Sequence, residues 1–146
     1  PGEMARLEGS LSPQQINADR LNVASAFATR YRVVLILKGA RTVVAHPDGR
    51  LTICSTGNPG MATAGVGDVL TGLLAGLLAQ GLSTWDAACA GTFLHGRAGD
   101  LAAEQVGQPG LTAGDLVQHI PHALQELMES RQSSTVSYHP SPDRGL

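Results

Sequence analysis

The segment GNPGMATAGVGDVLTG, residues 57–72, constrains the fold of this chain more than any other part of its sequence. It contains five of the chain's 18 glycines, and each glycine costs backbone entropy where it must be ordered. Glycine also adopts positive φ and lets another group approach the backbone without meeting a Cβ. Apolar residues at helical spacing follow directly, so the segment predicts a tight loop that opens a helix.

This loop has the composition of an anion-binding site. Successive backbone N–H groups form a concavity for anions, and a helix N-terminus adds roughly half a positive charge. The glycines at 57, 60, 65 and 67 lead into a helix predicted to begin near residues 66–68. Neither GxxxxGK[ST] nor a complete GxGxxG pattern is present. The loop therefore predicts a phosphate site of another type.

The carboxylate of Asp68 lies in the first turn of that predicted helix, and the spacing leaves two interpretations open. In one, Asp68 only interacts favourably with the helix dipole, which contributes about 0.3–1 kcal/mol. In the other, it holds or deprotonates a hydroxyl that receives a phosphoryl group. A carboxylate beside an anion site repels the anion unless it has a function there. Contact with a hydroxyl of the substrate is a function that fits.

The rest of the sequence predicts a layered α/β fold. The predicted elements are, in order, a short helical turn within 1–9, a helix over 13–30 capped by Ser12, a strand over 33–37, strands over 42–46 and 51–55 joined by the turn Pro47–Gly49, a helix from the glycine-rich loop to Gly81, a helix over 85–105 capped by Ser83 or Thr84, and a helix after a Thr112–Asp115 capping box.

Four features of these elements are specific enough to test. The unbroken apolar run 33–37 is typical of a strand buried on both faces in a parallel sheet. The helix before Gly81 carries apolar residues all along its length, which predicts burial on most sides, and its small residues predict close approach of neighbours. Pro121 must start a new helix or kink the existing one. The polar residues 130–146 are predicted to be a disordered tail.

The composition excludes several classes of protein. A net charge of −2 and 15% charged residues leave no basic surface for nucleic acid, and 3% aromatic residues give no platform for base stacking. No signal peptide is visible, and no apolar run reaches the roughly 18 residues of a membrane span. We therefore expect a cytoplasmic protein without a membrane partner. Cys54 and Cys89 lack metal-type spacing and are expected to be small buried hydrophobes in a reducing compartment.

The run Asn58–Gly72 closely resembles the signature of the ADP-dependent NAD(P)HX dehydratase family, which belongs to the ribokinase-like carbohydrate kinase superfamily. Its GxGD part alone indicates only the superfamily, and the whole run narrows the resemblance to the family. Further similar pieces are Pro1–Leu7, Lys38–Thr42, His95–Gly96, Ala98–Asp100, Leu111–Ala113 and Asp115–Leu116. The resemblance covers residues 1–129 and implies the C-terminal part of a longer ribokinase-like α/β domain.

The resemblance implies repair of nicotinamide cofactors that have been hydrated on the ring, NADHX and NADPHX. ADP phosphorylates the added hydroxyl, phosphate then leaves, and NADH or NADPH is restored as AMP is released. By the same resemblance, the nucleotide is lined by Lys38, Gly39, Ala40, Arg41 and Thr42. Gly65 and Gly67 would supply backbone donors to the transferred phosphate, and Asp68 would contact the ring hydroxyl as base. Mg²⁺ is implied by the reaction class, although the sequence offers no evident protein ligands for it.

Two rival functions remain open on the sequence. One is an ATP-dependent small-molecule kinase of the same superfamily, which nucleotide preference would distinguish. The other is a non-catalytic half-domain, completed by a second copy of the chain or by a complementing N-terminal half, which solution mass would reveal.

Five other polar residues were considered for a functional role. His95 is expected to be a core histidine with its hydrogen bonds satisfied, and Asp100 a structural carboxylate. Pro121 spoils the helical spacing of His119 and His122, which argues against a metal site. Asn58 either closes a turn or touches a ligand.

Overall fold

The structure, a computed structural model, describes residues 1–136, which form six α-helices and three short strands. In chain order these are α1 (Gly2–Glu8), α2 (Pro13–Ala18), α3 (Arg20–Tyr31), β1 (Leu35–Leu37), β2 (Val43–Ala45), β3 (Leu51–Ile53), α4 (Val66–Ala79), α5 (Thr84–Val106) and α6 (Ala113–Val136), with 3₁₀ turns at Pro59–Met61 and Gln108–Gly110. The α/β class predicted from the sequence is confirmed.

The sheet is antiparallel throughout, in the order β1-β2-β3. The parallel pairing predicted for the run 33–37 is therefore wrong for the described residues. The run forms only the three-residue strand β1, in which Leu37 alone is buried, and Val33 before it is 41% exposed. An apolar run indicates that a strand is to be covered by other elements, but it does not indicate whether the neighbouring strand is parallel or antiparallel.

The hairpin between β2 and β3 is confirmed, with Val43 opposite Ile53 and Ala45 opposite Leu51. Gly49 takes a φ of 94° in the turn, a value that favours glycine. Asp48 Oδ1 accepts a 3.0 Å hydrogen bond from the Arg50 backbone N–H, and Oδ2 accepts a 2.8 Å bond from Arg50 Nε.

These bonds predict an unusually acidic carboxyl. The backbone hydrogen bond from Arg50, followed by side-chain bonds from His46 and Arg50, lowers the pKa of Asp48 from 3.8 to about 2. Since the folded pKa is the lower one, the hairpin gains stability from this group above pH 3.8 and loses it as the pH falls through about 2. NMR titration of the carboxyl carbon should give this value. Arg50→Gln should raise the pKa only partly, because the backbone donor remains; a pKa unchanged by the substitution would contradict the side-chain contribution.

Two hydrophobic clusters fill the interior. The sheet cluster joins α1, α2 and α3 to the strands and consists of Met4, Ile16, Ala24, Ala28, Leu37, Val43 and Ala45. The helix cluster joins α4, α5 and α6 and consists of Val66, Leu94, Ala98, Leu116 and Ala123. The segment from β3 to α4 passes from one cluster to the other.

The predicted helix over 13–30 is two helices. Ser12 caps α2 through a complete capping box with Gln15, as its sequence predicts. The chain then breaks at Asp19, which has the non-helical angles φ −141° and ψ 53° and serves as both the end of α2 and the start of α3. No glycine or proline marks this break, and the helical spacing of the apolar residues therefore predicted one continuous helix. Residues 1–9 likewise form a full helix, α1, that ends at the left-handed Gly9.

The prediction that α4 is buried on most sides is wrong. Only Val66 and Leu70 are buried, and Leu78 is 44% exposed. A Cβ added at Gly72 or Gly76 would meet no atom of the described residues within 4 Å. The apolar sequence of α4 is continuous around the helix, but among the described residues its neighbours α5 and α6 cover one face. The predicted stop at Gly81 is confirmed by its positive φ of 90°.

The C-terminal helices match their capping signals. Ser83 caps α5, and Thr112 and Asp115 exchange hydrogen bonds at the start of α6. α6 continues through Pro121, so a new helix at Pro121 is excluded and the kink stays a prediction. The start predicted for the tail, residue 130, is too early, because α6 continues to Val136 without a proline or glycine to interrupt it after residue 130. The rest of the predicted tail, residues 137–146, lies outside the described residues. No helix formed by residues 1–136 has the length and hydropathy of a membrane span.

Candidate functional site

The glycine loop, defined here as residues 57–67, is fastened to α5 at its start. The backbone N–H of Gly57 donates to Asp100 Oδ2 at 2.9 Å. Asn58 Nδ2 donates to Asp100 Oδ1 at 2.9 Å and to the Gly99 carbonyl at 3.0 Å, while its Oδ1 accepts from Gly60 N–H at 3.1 Å. Asn58 thus closes the turn and Asp100 anchors it, which are the structural interpretations of both residues.

Close backbone contact completes this attachment. Thr56 Oγ1 donates to the Phe93 carbonyl at 2.8 Å, and Thr56 lies directly against Gly96 of α5, where a Cβ would be 2.7 Å from the Thr56 carbonyl group. One turn later, the side chain of Met61 occupies the space where Gly99 would carry its Cβ. Glycines of α5 therefore let the loop lie flat on the helix.

The loop ends by opening α4. Gly65 is the N-cap residue, in the left-handed conformation with φ 84°. A Cβ added to Gly65 would be 3.1 Å from the Cβ of Ala113 in α6, so the two backbones approach closely here. The helix itself offers no carbonyl to the first amides of α4, those of Val66 and Gly67. Asp68 follows in the first turn and is exposed. Within residues 1–130, its carboxylate makes no hydrogen bond or ion pair.

Lys38 lies over the start of α4, although it follows β1 in the chain. A Cβ on Gly67 would be 3.0 Å from Lys38 Nζ, and Nζ is 3.6 Å from Glu3 Oε2 of α1. The structure therefore places an ammonium group and the N-terminus of α4 side by side. Both attract an anion, and Asp68 lies on the same helical turn.

The segment from Lys38 to Thr42 has a constrained backbone. Gly39 has a φ of 145°, and the guanidinium of Arg20 occupies the place of its missing Cβ. The same guanidinium donates to the Leu37 carbonyl at 2.8 Å. Arg41 adopts the left-handed φ of 58°, which is uncommon for a residue with a Cβ. Ala40 and Arg41 are exposed, and Thr42 bonds the Gly39 carbonyl.

His95 lies beneath the glycine loop and is only 8% exposed. Its Nε2 is 2.9 Å from the Val66 carbonyl oxygen, so the expectation of a satisfied core histidine is confirmed. Glu3, Arg20 and the contact of His95 with Val66 were not predicted from the sequence. Each depends on packing between elements distant in sequence, and no local pattern marks it.

Mg²⁺, which the reaction class implies, is not held by a cluster of side chains in the described part of the chain. Residues 1–130 contain no group of three or more His, Cys, Asp or Glu side chains close enough to share a metal ion. His119 and His122 have ring centroids 5.8 Å apart without further partners for a metal. The described residues therefore do not fit a protein-held metal ion.

The N-terminus of α4, the glycine loop before it and the ammonium group of Lys38 all attract an anion, and the exposed carboxylate of Asp68 lies on the same helical turn. The model of a carbohydrate kinase family described as NAD(P)H-hydrate dehydratase matches residues 1–122. The chain belongs to this family.

Relatives and a solved structure agree with the assignment. The bifunctional NAD(P)H-hydrate repair enzyme of Moorella thermoacetica is 56% identical over 129 residues, which are 88% of this chain and 24% of that enzyme. The ADP-dependent (S)-NAD(P)H-hydrate dehydratase of Neisseria meningitidis is 44% identical over 80% of this chain and 39% of its own. A crystal structure of the ADP/ATP-dependent NAD(P)H-hydrate dehydratase of Bacillus subtilis, crystallised with ATP and Mg²⁺ and soaked with CoA, superposes with a TM-score of 0.82 at 31% identity.

The matches also fix how much of the family domain is present. The chain spans 46% of the Bacillus subtilis structure, which covers 86% of this chain. It therefore corresponds to part of an α/β domain, as the resemblance implied, and the activity of the whole domain is a matter for proposal.

Proposed function

We propose that this chain carries the phosphate-transfer site of an ADP-dependent NAD(P)H-hydrate dehydratase. The observation that carries the proposal is the exposed carboxylate of Asp68 on the first turn of α4, beside the glycine loop and Lys38. Phosphoryl transfer to a hydroxyl needs an anion site and a group that accepts the hydroxyl proton, and this arrangement offers both within one helical turn.

In the proposed reaction, Asp68 accepts the proton of the hydroxyl on the hydrated nicotinamide ring. The ring oxygen then forms a bond to the terminal phosphorus of ADP, and the bond from that phosphorus to the oxygen of AMP breaks. Next, the bond between ring carbon and oxygen breaks, phosphate leaves, and loss of a ring proton restores NADH or NADPH. The net change is hydrated cofactor and ADP to reduced cofactor, AMP and phosphate.

The other residues serve binding. Amides of the glycine loop at Gly65 and Gly67 donate to the transferred phosphate, which they can do without a Cβ in the way. Lys38, Gly39, Ala40, Arg41 and Thr42 line the nucleotide. Of these, Lys38 contributes charge, whereas Arg41 contributes through its backbone. Mg²⁺ would arrive with the nucleotide phosphates and keep most of its waters. A cytoplasmic location remains part of this proposal.

The test is turnover by the chain, alone and in the longest form that its gene encodes. Hydrated NADH is supplied with Mg²⁺ and ADP, ATP or no nucleotide, and recovered NADH, AMP and phosphate are measured together. Nucleotide-dependent recovery of NADH with equal amounts of AMP and phosphate from ADP supports the proposal. If no form of the chain restores NADH with any nucleotide, the proposal is overturned.

The rival small-molecule kinase is separated by its products. A kinase leaves a stable phosphate ester and restores no NADH, whereas the dehydratase releases free phosphate. Products are a better criterion than nucleotide preference, because the Bacillus subtilis relative is named as ADP/ATP-dependent.

The half-domain alternative is favoured by one observation, the 46% of the Bacillus subtilis chain that this chain spans. A complementing half, or a second copy, would then supply the remainder of the substrate pocket. Sedimentation of the chain, alone and in the longest form that its gene encodes, measures this directly. A monomer of 146 residues that is fully active would exclude it.

Lys38→Gln should weaken binding of ADP by about 10-fold or more, because a charge-assisted contact to phosphate contributes about 1.5–3 kcal/mol. The effect should appear in the KM for ADP and shrink with added salt. Arg30→Gln is the control. It also removes one positive charge, but Arg30 lies in the last turn of α3, where its guanidinium is 4.0 Å from Glu8 Oε2. Equal effects of the two substitutions would contradict a specific contact by Lys38.

A further inference from the structure

The contact between His95 and Val66 lies at the start of the helix that carries Asp68. Val66 is the first residue of α4, and its carbonyl oxygen is 2.9 Å from His95 Nε2. A carbonyl can only accept a hydrogen bond, so the proton resides on Nε2 and the imidazole is the donor.

The surroundings keep this imidazole neutral. Burial lowers the pKa of His95, the hydrogen bond to Val66 opposes this shift, and the positive charge of Lys38 lowers the pKa further. A neutral ring with one fixed donor is suited to holding a backbone group, and it adds no charge beside Lys38.

The carbonyl of Val66 and the N–H of Gly67 belong to one peptide group. Because that group is planar and trans, fixing the direction of the C=O fixes the direction of the N–H. Of the two dihedrals that flank this peptide, the ψ of Val66 is set by helix α4, whereas the φ of Gly67 has no Cβ to restrain it. α4 also provides no carbonyl for the Gly67 amide. His95 therefore gives a peptide with glycine on one side an additional anchor from α5.

We propose that His95 is a positioning residue for phosphate transfer: by holding the Val66 carbonyl, it aims the Gly67 N–H at the transferred phosphate. This inference rests on the proposed function. It assigns to His95 no contact with substrate, because the ring lies beneath the loop and acts through the peptide. A donor that also polarises the peptide makes its N–H a stronger partner for an anion.

A second buried histidine offers a matched control. His119 is also 8% exposed, and its Nδ1 is 2.7 Å from a backbone carbonyl, that of Asp115. That carbonyl belongs to its own helix, α6, and not to the glycine loop. Substitution of His119 by Leu or Gln removes the buried ring and its Nδ1 donor without touching the Val66–Gly67 peptide, as substitution of His95 by Leu or Asn removes the ring and its Nε2 donor.

The experiment compares three changes at each histidine, to Leu, Gln and Asn, in the form of the protein that turns over hydrated NADH. Glutamine can place an amide donor near the position of Nε2, whereas leucine has no donor and asparagine is too short to reach Val66. We expect His95→Leu and His95→Asn to lower kcat by about 10- to 100-fold, which approaches the loss of one oxyanion donor. The KM for hydrated NADH should change by less than about 3-fold, and His95→Gln should recover most of kcat.

Amide NMR reports on the same peptide independently of turnover. AMP added to wild-type protein should move the Gly67 amide resonance strongly, and His95→Asn should reduce this movement while His119→Gln does not. An unmoved Gly67 resonance in wild-type protein would overturn the inference. So would equal losses of kcat at the two histidines, or His95→Gln that is no better than His95→Asn, even where the leucine variants fail to fold. Wild-type protein that turns over nothing would instead overturn the proposed function itself.

Discussion

Asp68→Asn is expected to lower kcat by about 100-fold to 10,000-fold, the range that one general base contributes. Asparagine keeps the size and polarity of the side chain but cannot accept the hydroxyl proton. Because Asp68 is exposed and has no partner within residues 1–130, its replacement leaves the packing of α4 intact. Turnover of hydrated NADH should therefore fall while the thermal unfolding temperature changes little.

The matched control for this substitution is Asp86→Asn. Asp86 is likewise an exposed carboxylate in the first turn of a helix, α5, so it carries the same dipole contribution of about 0.3–1 kcal/mol. It belongs to the Ser83 cap and not to the glycine loop. Both variants should lose comparable dipole stabilisation, and Asp68→Asn alone should lose turnover. Retention of near wild-type turnover by Asp68→Asn would refute the assignment of the base and leave only the dipole interpretation.

Gly96→Ala is expected to lower the free energy of unfolding by about 1–3 kcal/mol, the usual cost of overpacking. Its Cβ would lie 2.7 Å from both the carbonyl carbon and the oxygen of Thr56 and still closer to Oγ1. Backbone atoms cannot swing aside as the end of a flexible side chain can. The start of the glycine loop must therefore shift from α5, which should also lower kcat.

Gly76→Ala provides the opposite case in the same kind of element. Gly76 lies in α4, and a Cβ there would meet no atom within 4 Å in the part of the chain that the structure describes. Alanine should therefore raise the stability by up to about 1 kcal/mol through helix propensity. Urea unfolding of both variants measures the difference. Stabilisation by Gly96→Ala would contradict the contact with Thr56, and loss of stability in Gly76→Ala would contradict an open face at that position.

Local signals in the sequence predicted most of the helices and strands and the glycine loop that opens α4. The caps at Ser12, Ser83 and Thr112 depend on residues within three positions of each other, and the turn at Asp48 and Gly49 depends on the turn itself. The positive φ of Gly65 follows in the same way from its place before an apolar helix. These features were predictable because their causes are adjacent in the chain.

What could not be predicted depends on contacts between distant segments. The apolar sequence of α4 does not say which of its faces is covered, and the break at Asp19 has no glycine or proline to mark it. Lys38 meets Gly67 only because β1 ends beside the first turn of α4. The anchoring of Asn58 by Asp100 and of Val66 by His95 similarly needs α5 to lie under the loop. The individual roles of the site residues stay predictions until the variants are measured.

The division of the interior into two clusters has a consequence for cooperativity. Lys38 extends from the sheet cluster, whereas Gly67, Asp68 and His95 belong to the helices around the other cluster. An anion bound between them would touch both, and its binding free energy would stabilise each cluster only while the other stays folded. Amide hydrogen exchange should therefore slow in α3 and in α5 together when AMP is added. In its absence, the two clusters should protect their amides to different extents.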